Sequence, residues 1–224
     1  FSETDTYTSE SKGIPILLAS PQVEHLPETT ANILMGVNSQ LRQALSKRGT
    51  LTVLTSSGED ASSSHEYELV LRAIGLPEPD RISVELIGTE TSAIAWADAY
   101  MLRAEHADRA LDALVLRMSD DLFPQIVSRS KAALDARPLE ELNPWELYLL
   151  STWVPGAALS ALDWEVQRRD IALRAVSLDP QLGQAHSVLA DKLAYLSSVD
   201  SDYHSTEVVT DAHFHATQAL QHAP

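Results

Sequence analysis

Apolar positions along the chain alternate between strand-like and helix-like spacing. The run "IPILLAS", beginning at Ile14, is short, apolar and bounded by polar residues, and predicts a strand. It is followed by a Pro/Glu/Thr loop and by "ANILMGVNSQLRQALSKRG", which puts Ile33, Leu34, Val37, Leu41, Ala44 and Leu45 on one helical face. Thr30 is the expected N-cap there and Gly49 the expected stop. "TLTVLTS" supplies a second strand, so that strand, helix and strand form a βαβ unit with parallel strands and a right-handed crossover. Beyond the polar, mobile-looking "SSGEDASSSHE", the runs "YELVLRAI" and "DRISVELIG" alternate around the turn "GLPEPD". A further run, "SAIAWADAY", follows "GTETS", and the three predict an antiparallel meander.

Alternation in the last strand sends Ile94, Trp96 and Tyr100 one way and Ala93, Ala95, Ala97 and Ala99 the other. The alanine face is expected to receive the next segment, "DRALDALVLRMSDDLFPQIVSRSKAALDA". That segment carries Leu111, Leu114, Val115, Met118, Leu122, Ile126 and Val127 at helical spacing, with Pro124 as a kink or joint.

The remainder is helical by the same criterion. "ELNPWELYLLSTWV" and "SALDWEVQRRD" predict helices, Asn143-Pro144 providing a cap and a first-turn proline. "IALRAVSLDP" recurs at the C-terminus as "FHATQALQHAP": Ala172 corresponds to Ala216, Ala175 to Ala219, Val176 to Leu220 and Pro180 to Pro224, an offset of 44 throughout. Between the two copies lies the alanine-rich "AHSVLADKLAY", and the polar "SSVDSDYHST" is expected to be a loop.

Two resemblances follow from these residues. Gly36, Leu41, Leu45-Ser46, Leu51 and Val53, then "YELVLRAI", "RISVELIG" and "AIAWADAY", are similar in order and spacing to the TolB-like N-terminal domain of bacterial regulatory proteins. The chain departs from that pattern at Ala19-Ser20-Pro21, where the family has Pro-Phe, and after residue 56, where a helix is replaced by a Ser-rich loop. The recurring Ala-x-x-Ala motif closed by proline resembles the tetratricopeptide repeat, whose small residues let paired helices approach closely. Together they imply a flexible linker over 1–12, an α/β subdomain with a mixed sheet and flanking helices over 13–137, and an all-α tetratricopeptide-like helical subdomain over 138–224. Such repeats usually offer a groove to a protein segment. The joint between the two is expected around Pro138 to Pro144.

Composition restricts the chemistry. The 224 residues carry 32 acidic and 16 basic side chains, a formal charge of -16, and the excess is spread over both halves. Neither half can neutralise a phosphate backbone, so direct nucleic-acid contact is not expected. The absence of cysteine removes thiol catalysis, disulfides and iron–sulfur clusters. No apolar run approaches the roughly 20 residues of a membrane span, and the chain begins at Phe1, so it reads as an excised part of something longer.

Candidate chemistry concentrates near the C-terminus. On one helix Asp211, His215 and His222 would share a face, and with His204 and His213 they form the candidate metal cluster. The competing expectation is a solvated face opposite Ala212, Ala216 and Ala219. Histidines on so acidic a surface also suggest pH sensing. Trp96, Trp145, Trp153 and Trp164 are expected in the core rather than on a ligand. The sequence lacks the nucleophile-elbow, P-loop and dinucleotide fingerprints, so the chain is read as non-enzymatic, with no catalytic residue and no cofactor.

The resemblance implies the extracytoplasmic, periplasmic region of an inner-membrane transcriptional regulator of the ToxR/CadC type. Its DNA-binding domain and single membrane span would precede Phe1. The expected partners are a protein or small-molecule signal and, in a homodimer, a second copy of the chain. The alternative is a cytoplasmic regulatory or scaffold region of a nucleotide cyclase-like enzyme.

Overall fold

The computed structural model describes residues 13–56, 65–75, 80–101, 107–152 and 160–223. The linker expected over 1–12, most of the Ser-rich loop, the centre of the "GLPEPD" turn and Trp153 lie outside the described residues. The chain divides into two compact units, Phe1–Val127 and Ser128–Pro224. That division falls inside the long helix rather than at 137/138, and the segment 138–144 belongs wholly to the second unit.

The first unit is built on one mixed sheet. Its strands are β1 (Ile14–Leu18), β2 (Leu51–Thr55), β3 (Tyr67–Ile74), β4 (Arg81–Gly88) and β5 (Ile94–Met101), in the spatial order β2-β1-β3-β4-β5. β1 is parallel to both of its neighbours, and β3, β4 and β5 form the antiparallel meander. Alternate residues Ile14, Ile16 and Leu18, Leu69 and Leu71, and Ile82, Val84 and Leu86 are buried along one face of the sheet. Helix α1 (Glu28–Ser46) lies against β2 and β3 and buries Leu34, Val37, Leu41 and Leu45, the stripe that its spacing predicts. It begins two residues before the expected cap: Pro27 occupies the N-cap position and no side chain caps it. Pro27's φ of -53° and ψ of 143° are the extended backbone that proline's ring permits just before a helix. Gly49 has φ 60°, the left-handed conformation that stops the chain just past the helix.

Helix α2 (Ala107–Asp135) continues through Pro124. It does not meet β5 through the alanine face. A register shift between Leu86 and Ile87 pairs Ile94 with Ile87 and Trp96 with Leu86, so Ile94 and Trp96 point to opposite faces, while Ala97 and Ala99 are exposed. The contact is made by Tyr100, which is buried and donates its hydroxyl to Asp121 Oδ2 at 3.1 Å. A tyrosine ring removes far more apolar area from water than two methyl groups, and its hydroxyl finds an acceptor. Burial, followed by that Asp121 carboxylate, pushes the Tyr100 phenol above its ordinary range. Arg48, just beyond α1, pairs with Asp120 and lies over the Phe123 ring, tying α1 to α2.

The second unit contains α3 (Pro144–Ser151), α4 (Ala161–Leu178), α5 (Gly183–Val199) and α6 (Thr206–Gln221), each packed on the next. Three of the four have side-chain caps. Asn143 and Glu146 form a reciprocal capping box with Pro144 in the first turn, Ser160 accepts from Asp163 N–H, and Ser205 accepts from Val208 N–H. Glu146 also receives Arg137 at 2.7 Å, so one carboxylate holds the segment between α2 and α3 from two sides. The segment expected to be a loop after α5 is shorter than its polar sequence suggests. Ser197 to Val199 are helical, and a 3₁₀ turn at Ser201–Tyr203 leads into α6.

Charges buried among these helices are compensated. Lys192 on α5 contacts Glu165 on α4 at 3.0 Å and Asp191 at 2.8 Å, while Arg168 reaches Glu165 at 3.0 Å and donates to the Ser151 carbonyl at 2.8 Å. Removing one partner would leave an uncompensated buried charge, so these pairs fix how α3, α4 and α5 meet. The protein is therefore mixed α/β, with one five-stranded sheet and, among the described residues, six α-helices.

Candidate functional site: a histidine pair between α5 and α6

The turn before α5 places the first of the two histidines. Asp179 ends α4, its carboxylate accepts Gln181 N–H at 3.0 Å, and Pro180, which has no N–H, leaves a carbonyl facing the first turn of α5. His186, one turn into α5, is only 2% exposed, and its Nε2 lies 3.0 Å from that Pro180 oxygen. His215 comes from the middle of α6. Its Nδ1 lies 2.8 Å from His186 Nδ1.

These two distances assign the protons. A carbonyl only accepts, so His186 carries its hydrogen on Nε2 and, when neutral, presents Nδ1 as an acceptor. His215 must then donate from Nδ1. A proton added to His215 at Nε2 leaves the bond between the rings in place. A proton added to His186 at Nδ1 removes the acceptor and sets two N–H groups against each other. The pair can therefore hold one extra proton without losing its bond, and not two.

Packing surrounds the pair on α6 with short side chains and aromatic rings. Val208, Ala212 and Ala219, at helical spacing from His215, are partly buried on the same side. The His222 ring stacks over His186 with centroids 6.5 Å apart, and Phe214 meets His215 edge-on at 5.1 Å. Burial pushes the His215 imidazole below its ordinary value. A charge on His186 would act the same way, and the Asp211 carboxylate opposes both. Close approach of the helices depends on Gly183: a Cβ there would stand 2.6 Å from the His222 carbonyl oxygen.

The candidate metal cluster is not assembled. His204 is exposed and closes the Ser201–Tyr203 turn, His213 is exposed on α6, and Asp211 is exposed beside His215. Among the described residues no three histidine or carboxylate side chains converge as a ligand set. His215 is also not part of a solvated face opposite the alanines, because it packs with Ala212 and Ala219 on the α5 side. His186 was not among the sequence candidates. Its signal was present as a histidine flanked by Ala185 and, three residues on, Leu189, on the buried stripe of α5. Trp145 is buried and Trp96 and Trp164 are partly buried, as core residues would be.

No protein-family model and no curated protein matches the chain at a significant level. Among solved structures, a dodecamer of a PelC variant from Paraburkholderia phytofirmans matches with a TM-score of 0.34 and 12% identity, over 49% of this chain and 86% of that one.

Proposed function

We propose that this chain is a non-enzymatic sensory and interaction region of a bacterial membrane-bound transcriptional regulator, perceiving a periplasmic signal and passing it on by rearrangement of its helices or of a dimer. Its second unit is read as tetratricopeptide-like helices. The TolB-like and repeat resemblances support the regulator setting. The observation that carries the sensory part is the His186–His215 bond, a titratable contact linking two helices.

The sign of its response follows from the direction of the His215 shift. A histidine whose folded pKa is depressed binds fewer protons folded than unfolded. Its stabilising contribution is complete above the unfolded value of about 6.5 and is lost as pH falls below that. Acidification therefore weakens the seating of α6 on α5 by charging the half-buried His215 ring, while the first proton leaves the bond between the rings in place, and the signal of this reading is a fall in pH.

The test is a thermal-melt and sedimentation series from pH 5 to 8 on the wild-type chain and on His215→Asn, whose amide keeps a donor near the Nδ1 position and does not titrate. The wild type should lose melting temperature or change association below about pH 6.5, and the variant should do so less. Identical pH profiles would remove the proton as the signal.

A further inference from the structure

One cation beside the buried charge network of the second unit has no counter-charge. Lys131 lies on the part of α2 that belongs to that unit and is half-buried. Burial holds its ammonium below the ordinary lysine range, the Arg168 guanidinium acts in the same direction, and no carboxylate opposes them. Asp135, one turn further along α2, is exposed, and among the described residues Lys131 makes no salt bridge. The positions of this unit outside the described residues, 153–159 and Pro224, include no acid. Arg168 is also short of acceptors. Its side chain is 13% exposed, Nε donates to the Ser151 carbonyl at 2.8 Å and Nη1 to Glu165 Oε1 at 3.0 Å, and Nη2 has no partner among the described residues. Trp164, four residues earlier and so on the same side of α4, keeps its indole N–H buried without an acceptor. All three side chains only donate, and a buried donor left without an acceptor is destabilising.

From this we infer that Lys131, Arg168 and Trp164 form a binding site for the carboxylate of a small organic acid. The local charges set the class of ligand. Arg168 and Lys192 are balanced by Glu165 and Asp191, so Lys131 leaves one positive charge in excess. A monoanion neutralises that charge, whereas a phosphate dianion would replace it with an uncompensated negative one. The two oxygens of a carboxylate offer about four acceptor sites, enough for the Lys131 ammonium, the free Arg168 Nη2 and the indole N–H together. The site shares no residue with the histidine pair and does not rest on its response to protons.

The probe is sodium acetate, titrated at pH 7.5 and constant ionic strength against the isotope-labelled full chain. Sodium chloride is the reference salt and acetamide the neutral isostere. The reporter is the magnetic-resonance signal of the Trp164 indole N–H, identified by its loss in Trp164→Phe. Acetate should shift that signal saturably, with half-saturation at about millimolar concentration, and should raise the melting temperature relative to chloride. Lys131→Met should weaken binding about ten-fold or more without lowering the melting temperature in the absence of acetate, because the ammonium it removes is unpaired. Lys131→Glu puts a carboxylate of the chain itself beside Arg168, and should abolish the response to acetate while melting no lower than the wild type. His215→Asn should leave acetate binding intact. A shift that does not saturate, that chloride or acetamide reproduces, or that Lys131→Met leaves unchanged would overturn the site. So would a fall in the melting temperature of both lysine variants, which would mean that the ammonium already has its counter-charge. Binding of N-acetylglycylglycine without binding of acetate would overturn the small acid in favour of the end of a peptide.

Discussion

Gly183 stands where the start of α5 meets the end of α6, and two opposed effects act on its replacement. Alanine has the higher helix propensity, by up to about 1 kcal/mol. Against that, its Cβ would lie 2.6 Å from the His222 carbonyl oxygen, 2.8 Å from the carbonyl carbon and 3.2 Å from the Ala219 oxygen. All three are backbone atoms, so no side chain can swing away and the helix ends must separate, which in a packed site costs about 1–3 kcal/mol. Gly183→Ala is therefore expected to lower stability in chemical denaturation although it favours the isolated helix, and an unchanged or raised midpoint would show that the close approach is not needed. The same residue shows why the histidine pair was hidden in the sequence. A glycine after Asp179-Pro180-Gln181-Leu182 reads as ordinary turn chemistry, and nothing in one sequence says that His186 and His215, 29 residues apart, face each other.

At the scale of elements, local signals were legible and partners were not. Spacing in "ANILMGVNSQLRQALS" identified the four residues that α1 buries, and Asn143-Pro144 marked the start of α3, because caps and apolar periodicity are encoded within one or two turns. The capping box gives a direct check. Asn143→Ala removes the acceptor for Glu146 N–H and should cost about 1 kcal/mol, which for a unit of this size is a fall of roughly 4–8 °C in Tm. A shift within error would mean that Arg137 and the backbone N–H of residue 143, which both still reach Glu146, hold the segment before α3 without the side-chain cap. What misled the reading of β5 was non-local. The register shift beside Leu86 turns Ile94 to the other face, while Trp96 to Tyr100 alternate as expected. Which of the two faces receives α2 is decided by the helix, which follows Tyr100 and Asp121 instead of Ala97 and Ala99. The Asp211, His215 and His222 cluster failed for a related reason. Residues sharing a helical face can be predicted from spacing, but which face turns inward depends on the neighbouring helix.

For the whole molecule, the mixed α/β class and the order of elements followed from periodicity, while the place of the division between the units did not, since α2 carries an unbroken helical pattern through both. Charge acts at this scale as well. A formal -16 gives broad self-repulsion that relaxes as carboxylates begin to protonate, near pH 4, whereas the linkage at His215 sets in below the unfolded histidine value of about 6.5. The two effects are therefore separable in pH and in place. The most direct test of the account is hydrogen exchange of the backbone amides of α5 and α6 at pH 7.5 and pH 5.5, corrected for intrinsic rates, in the wild type and in His215→Asn. The account predicts that protection in α5 and α6 of the wild type falls at the lower pH, that the variant changes less, and that β1, β3 and β4 keep their protection in both. Unchanged protection of α6 in the wild type, or an equal loss in the variant, would contradict the claim that the half-buried His215 makes this pair of helices responsive to protons.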